Sequence, residues 1–245
     1  MKGKRLLILG ALLLGAVAAA QKSVVLTAAD GVKVHAEYHA AASPARGTLL
    51  LFHQLTGNLG EYSEAIPRLL KEGFNLLAVD QRVGGDDYER QNQTKKALPP
   101  AAVYQRMDAL KDLEAALAWA RAQNTKNIIV AGSSYSAALV FLLAAKYPAD
   151  VAGVMAFSPG EYLNADNPRL VQEAAAKLKV PVFVAVANRG SELRDADPIF
   201  KAVPGSAKTL YVPEGLGIHG AAALRNPLTR EKYWAATQAF LARFR

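Results

Sequence analysis

Along this chain of 245 residues, short runs of almost uninterrupted apolar residues alternate with longer stretches whose apolar positions recur every three or four residues. The uninterrupted runs are Gly47 to Phe52, Phe74 to Val79, Asn127 to Ala131, Val151 to Phe157 and Pro181 to Ala187, with a shorter one at Thr209 to Val212. Runs of that length, rich in Val, Ile and Phe and bounded by turn residues, predict strands buried on both faces. Between them, Glu61 to Lys71 predicts a helix ended by Gly73, and Ala137 to Tyr147, Pro168 to Lys177 and Leu228 to Phe244 predict three more. Ala101 to Arg121 predicts an amphipathic helix, with Val103, Met107, Leu110, Leu113 and Leu117 inward and Asp108, Lys111, Asp112 and Arg121 outward. Strands alternating with helices give an α/β fold, a mostly parallel sheet covered by helices on both faces.

The first strands differ. Ser23 to Thr27 and Val32 to Tyr38 flank Asp30-Gly31, which predicts an antiparallel hairpin at the N-terminal edge of the sheet. His35, Glu37 and His39 share one face of its second strand. Strand rise separates the two histidines by roughly 13 Å, too far to share a metal ion, so a solvated strand face is expected. Asp86 to Pro100 is polar and without periodicity, and a long loop of that kind is expected to form a wall of the substrate pocket.

Charge and composition narrow the picture. Lys2, Lys4 and Arg5, then an apolar run from Leu6 to Val17, then Ala18-Ala19-Ala20 before Gln21 read as a signal peptide. The expected organisation is therefore residues 1–20 as leader and 21–245 as one domain, secreted or periplasmic and without stable membrane insertion after cleavage. Losing the leader lowers the net charge from +8 to +5. The remaining lysines and arginines are scattered rather than clustered, which argues against nucleic acid as a partner. There is no cysteine, so the fold stands without disulfides and no lipid anchor forms at the cleavage point.

The candidate chemistry lies in Asn127 to Pro148, where a buried strand turns into a helix through Gly132-Ser133-Ser134-Tyr135-Ser136. A serine at the apex of such a turn presents its hydroxyl above the sheet, at the positive end of the helix that follows. Ser133 as nucleophile would crowd Tyr135, and Ser136 falls inside the helix, which leaves Ser134. The segment resembles the G-x-S-x-G nucleophile elbow of the α/β-hydrolases, with Ser136 in the place of the last glycine. His53-Gln54 is similar to the family's H-G pair, and Asp80-Gln81-Arg82-Val83-Gly84-Gly85 to its D-x-R-x-x-G stretch, whose Asp and Arg brace loops. The resemblance spans Ser23 to Arg245, and within the superfamily it points to small single-domain enzymes like the dienelactone hydrolases, a group that commonly uses cysteine where this chain has serine.

That resemblance implies further roles. The oxyanion hole would be the backbone N–H groups of Leu55 and Tyr135. The base follows the last strand, which selects His219 among His35, His39, His53 and His219. His53 is expected to pin its loop. The acid should follow Pro181 to Ala187, where Glu192 stands nearest and Asp195 and Asp197 are the alternatives. No metal or organic cofactor is called for. The expected function is a serine hydrolase of small carboxylic esters, with a peptidase or amidase using the same triad, or a catalytically silent binding protein on the same fold, as alternatives.

Overall fold

The computed structural model describes residues 21–42 and 44–245; the expected leader lies outside the described residues. Each apolar run forms a strand, and so do both arms of the N-terminal hairpin. They are β1 (Gln21–Thr27), β2 (Lys33–His39), β3 (Gly47–Phe52), β4 (Phe74–Val79), β5 (Ile128–Ser133), β6 (Val151–Phe157), β7 (Val182–Ala185) and β8 (Lys208–Tyr211). They make one sheet in the order β1-β2-β4-β3-β5-β6-β7-β8. β2 pairs antiparallel with both β1 and β4, and every other pairing is parallel.

The helices are α1 (Ile66–Lys71), α2 (Gln93–Ala97), α3 (Leu110–Ala122), α4 (Tyr135–Lys146), α5 (Leu170–Ala175), α6 (Gly190–Ala202) and α7 (Arg230–Leu241). Alternation along a strand sends successive side chains to opposite faces, and in β3 both sets are apolar. Leu50 and Phe52 pack on the face covered by α3, α4, α5 and α6, whereas Leu49 and Leu51 pack against α1, α7 and the 3-10 turns at Leu59–Tyr62 and Ala221–Leu224.

The strand order fixes where a ligand can bind. From β3 the chain steps outward to β4, and from β5 it steps the other way to β6, so the loops leaving the ends of these adjacent strands diverge and leave a crevice between them. The loop after β3 and the elbow after β5 flank that crevice.

The structure corrects several local expectations. The helix expected from Ala101 starts only at a 3-10 turn, Arg106–Ala109, because the Asp108 carboxylate accepts the Gln105 N–H at 2.9 Å and caps the start there. Val103, expected inward, is 84 % exposed. Asp112, expected outward, is buried because it meets the equally buried Arg82 guanidinium at 2.7 Å. The helix expected over Glu61 to Lys71 divides into the 3-10 turn Leu59–Tyr62 and α1. The face of His35, Glu37 and His39 is covered instead of solvated: the Thr94 hydroxyl on α2 accepts the His35 N–H, and Arg90 pairs with Glu37. No group of three or more His, Cys, Asp or Glu among the described residues is arranged to hold a metal ion.

Candidate active site

Between the end of β5 and the start of α4 stands one residue, Ser134, with φ 55° and ψ −118°. A side chain in that region is strained, and the strain persists only where its surroundings hold it. Gly132 shows what holds it. A Cβ there would lie 2.2 Å from the carbonyl oxygen of Ser136, so strand and helix approach too closely for any side chain. Ser136, where the elbow pattern has glycine, is fully buried and bridges two neighbours. Its hydroxyl donates to the His53 carbonyl at 2.6 Å and accepts from the Gln81 amide at 2.7 Å. The serine therefore ties the head of α4 to the end of β3. As first residue of α4, Tyr135 carries an N–H with no partner inside the helix.

The loop after β3 begins at His53, which is sealed from solvent. Its Nε2 accepts the Gln81 N–H at 2.9 Å, which leaves Nδ1–H to donate to the Gln54 carbonyl at 2.8 Å. Burial lowers its pKa to about 4, so the ring is neutral and serves as a loop brace. Leu55 follows, beside a cavity of about 490 Å³ bounded by Val83, Lys95, Leu98, Pro99 and Tyr104 among others. The segment expected to form a pocket wall thus contributes its second half to one.

On the other side of the crevice, His219 Nδ1 and Glu192 Oε1 are 3.0 Å apart. Glu192 lies in the first turn of α6, where its other oxygen accepts the Ser158 hydroxyl at 2.6 Å and the Ala187 N–H at 2.9 Å. Burial alone would raise this carboxyl's pKa, but the hydrogen bonds from His219, Ser158 and Ala187 outweigh it and hold it below the ordinary value. The alternatives face elsewhere: Asp195 is exposed and Asp197 pairs with Lys201 one turn on.

The loop after His219 is fastened directly to the elbow. Ala221 N–H donates to the Ser133 hydroxyl at 2.8 Å, and Gly220, at φ 72°, passes so near that a Cβ would sit 2.4 Å from the same oxygen. Ser134, His219, Glu192, Leu55 and Tyr135 therefore stand on loops and turns at one end of the sheet. Three polar residues hold these loops in a role that the sequence does not mark. Ser158 follows the end of β6 immediately and carries the same kind of positive φ as Ser134, 55°. Ser133 enters the sequence reading as a rejected nucleophile candidate, with nothing to mark its hydroxyl as a brace. Glu61 opens the helix expected over Glu61 to Lys71, and no periodicity marks it as buried.

Known proteins share this architecture. A family described as "Serine aminopeptidase, S33" matches residues 43–212. No curated protein matches the chain. Among solved structures, an esterase of Pyrococcus furiosus superposes with a TM-score of 0.71 at 19% identity, covering 97% of this chain and 96% of that one. A dienelactone hydrolase of Anabaena variabilis gives 0.72 at 14%, covering 93% and 99%. A monoacylglycerol lipase of Paleococcus ferrophilus gives 0.66 at 15%, covering 86% and 99%. At these identities the superpositions establish the shared α/β-hydrolase fold, and it is the family match, over most of the sheet, that makes this chain a serine hydrolase of the serine aminopeptidase S33 family.

Proposed function

We propose that the protein cleaves small carboxylic esters through an acyl-enzyme on Ser134. The observation that carries this reading is the His219–Glu192 pair, whose loop is bonded to the residue next to a strained serine. In the first step Ser134 Oγ attacks the carbonyl carbon and passes its proton to His219 Nε2, while Glu192 holds Nδ1–H and stabilises the imidazolium. The carbonyl oxygen takes up the negative charge between the N–H groups of Leu55 and Tyr135, each such donor being worth roughly 10²–10³ in rate. Collapse expels the alcohol, which takes the proton from His219. Water, deprotonated by the same imidazole, then hydrolyses the acyl-serine and frees the acid.

A peptidase reading is favoured by the description of the matching family. The cavity beside Leu55 favours the ester. An aminopeptidase must receive a substrate ammonium, yet the exposed charge at this cavity is the cation Lys95, Arg82 being buried and paired with Asp30 and Asp112, with apolar Leu55, Val83, Leu98 and Pro99 around it. Those walls suit an acyl chain, and the names of the esterase and lipase neighbours agree with that reading.

Hydrolysis of p-nitrophenyl esters of increasing acyl length, beside aminoacyl anilides, tests the proposal on wild type and Ser134→Ala. Esters should be turned over by wild type alone. Faster turnover of the anilides would make the protein a peptidase. Export belongs to the same proposal and rests on the leader-like residues 1–20. Mass spectrometry should then find an N-terminus at or near Gln21, and a soluble product retaining Met1 would contradict it.

A further inference from the structure

Glu61, in the 3-10 turn after the oxyanion loop, is 1 % exposed. Three donors converge on its carboxylate. Oε2 accepts the Gln54 N–H at 2.8 Å, and Oε1 accepts the Ser133 hydroxyl at 2.7 Å and the Ala222 N–H at 3.0 Å. All three are neutral. Each comes from a different segment and stands close to a different member of the site: Gln54, in the loop after β3, precedes Leu55; Ser133, the last residue of β5, precedes Ser134; and Ala222, in a 3-10 turn, follows His219 by three residues.

A carboxylate buried among neutral partners is costly to ionise, so its place here needs a reason. We propose that Glu61 is a positioning residue for the acyl-transfer reaction proposed above, its ionised carboxylate being the shared acceptor that keeps oxyanion donor, nucleophile and base in register. The inference rests on that reaction. Once protonated, Glu61 gains an O–H that needs an acceptor of its own and loses the charge that strengthens its bonds to all three donors, so its hold on the three segments loosens. The negative charge itself has opposed effects, favouring the imidazolium of His219 and disfavouring the oxyanion formed with it. These offset, which leaves geometry as its main contribution.

The titratable groups facing Glu61 are His219, Tyr88, Tyr62 and Tyr135. Burial raises all three phenols, which stay neutral, so His219 is the facing group whose charge changes in catalysis. Burial raises the Glu61 pKa to about 7, against the hydrogen bonds that lower it, so the carboxylate titrates where the enzyme would be assayed.

The test is kcat/KM for an ester from about pH 5 to 9, with fluorophosphonate labelling of Ser134 alongside, on wild type, Glu61→Gln and Glu61→Asp. In wild type the acid limb should carry the protonation of Glu61 beside that of the general base, so its slope approaches two. Glu61→Gln should lose roughly 10²-fold in kcat/KM, since a displacement of about 1 Å costs that much, and its limb should fall with a single proton. Glu61→Asp should recover part of the rate and keep both protons. A folded Glu61→Gln with wild-type rate and limb overturns the proposal, and so does a slower one whose two-proton limb is intact, since that marks a merely structural role. Should Glu61→Gln fail to fold, Ser133→Ala decides. Removing one donor should move the upper part of the limb to higher pH, and an unmoved limb overturns the proposal. Wild type that takes no label at Ser134 overturns the acyl-enzyme reading and this proposal together, whereas a labelled wild type beside an unaltered variant overturns this one alone.

Discussion

Two buried glutamates on opposite sides of the crevice are driven in opposite directions. Glu192 receives His219, a hydroxyl and a backbone N–H and is held below the ordinary value, while Glu61, desolvated more completely, is raised to about 7. Glu192→Gln should lower kcat by up to roughly 10⁴-fold, the loss that follows when the base takes the wrong tautomer, and steady-state kinetics should find Asp195→Asn near wild type. Stability carries a separate signature. The folded pKa of Glu61 lies above its unfolded value of 4.5, so its contribution is fully present below 4.5 and is lost as pH rises through about 7, on the order of 3 kcal/mol in all. Thermal melts of wild type and Glu61→Gln should therefore diverge across that window, with wild type losing ground as pH rises. His53 acts in the other sense. Its folded pKa, about 4, lies below the unfolded value of 6.5, so it stabilises the fold above pH 6.5 and loses that effect as pH falls through about 4.

At the scale of elements, the turn from β5 to α4 depends on contacts from chain segments far away in sequence. Ser136 holds the His53 carbonyl and the Gln81 amide, both buried. Ser136→Ala should cost about 1–3 kcal/mol in denaturant unfolding, because it leaves the His53 carbonyl unpaired and the Gln81 amide with Tyr135 as its remaining partner. Gly132→Ala should be worse, since the new Cβ would meet backbone that cannot retreat. The elements themselves were largely legible, because an apolar run as regular as Leu49-Leu50-Leu51 is stable only inside a sheet covered on both faces. The elbow was legible for a related reason: small residues between strand and helix are needed wherever backbones close to this distance. Asp112, Glu61 and the face of His35 were not. Their surroundings are set by Arg82, Ser133 and Thr94, at 30, 72 and 59 residues' separation, and helical or strand periodicity carries no information about such partners. The start of α6 carries no side-chain cap, so nothing in the sequence marks Glu192 as a residue of a helix's first turn.

Across the whole molecule, the buried Arg82 guanidinium joins the hairpin turn at Asp30, the end of β4 and α3 at Asp112. Asp112→Asn should destabilise by about 3–5 kcal/mol, since it leaves a buried cation short of one partner; calorimetry measures it directly. That brace and the carboxylate of Glu61 lie at the same end of the sheet as the crevice between β3 and β5, so the fold concentrates its buried charge where loops must keep their places. What matters most is whether this crevice makes Ser134 a nucleophile activated by His219. The most direct measurement is covalent labelling by a fluorophosphonate with the modified peptide mapped by mass spectrometry, in wild type, Ser134→Ala and His219→Ala. The label should fall on Ser134, vanish in Ser134→Ala and slow by orders of magnitude in His219→Ala; label on another residue, or rapid labelling of Ser134 without His219, would contradict it.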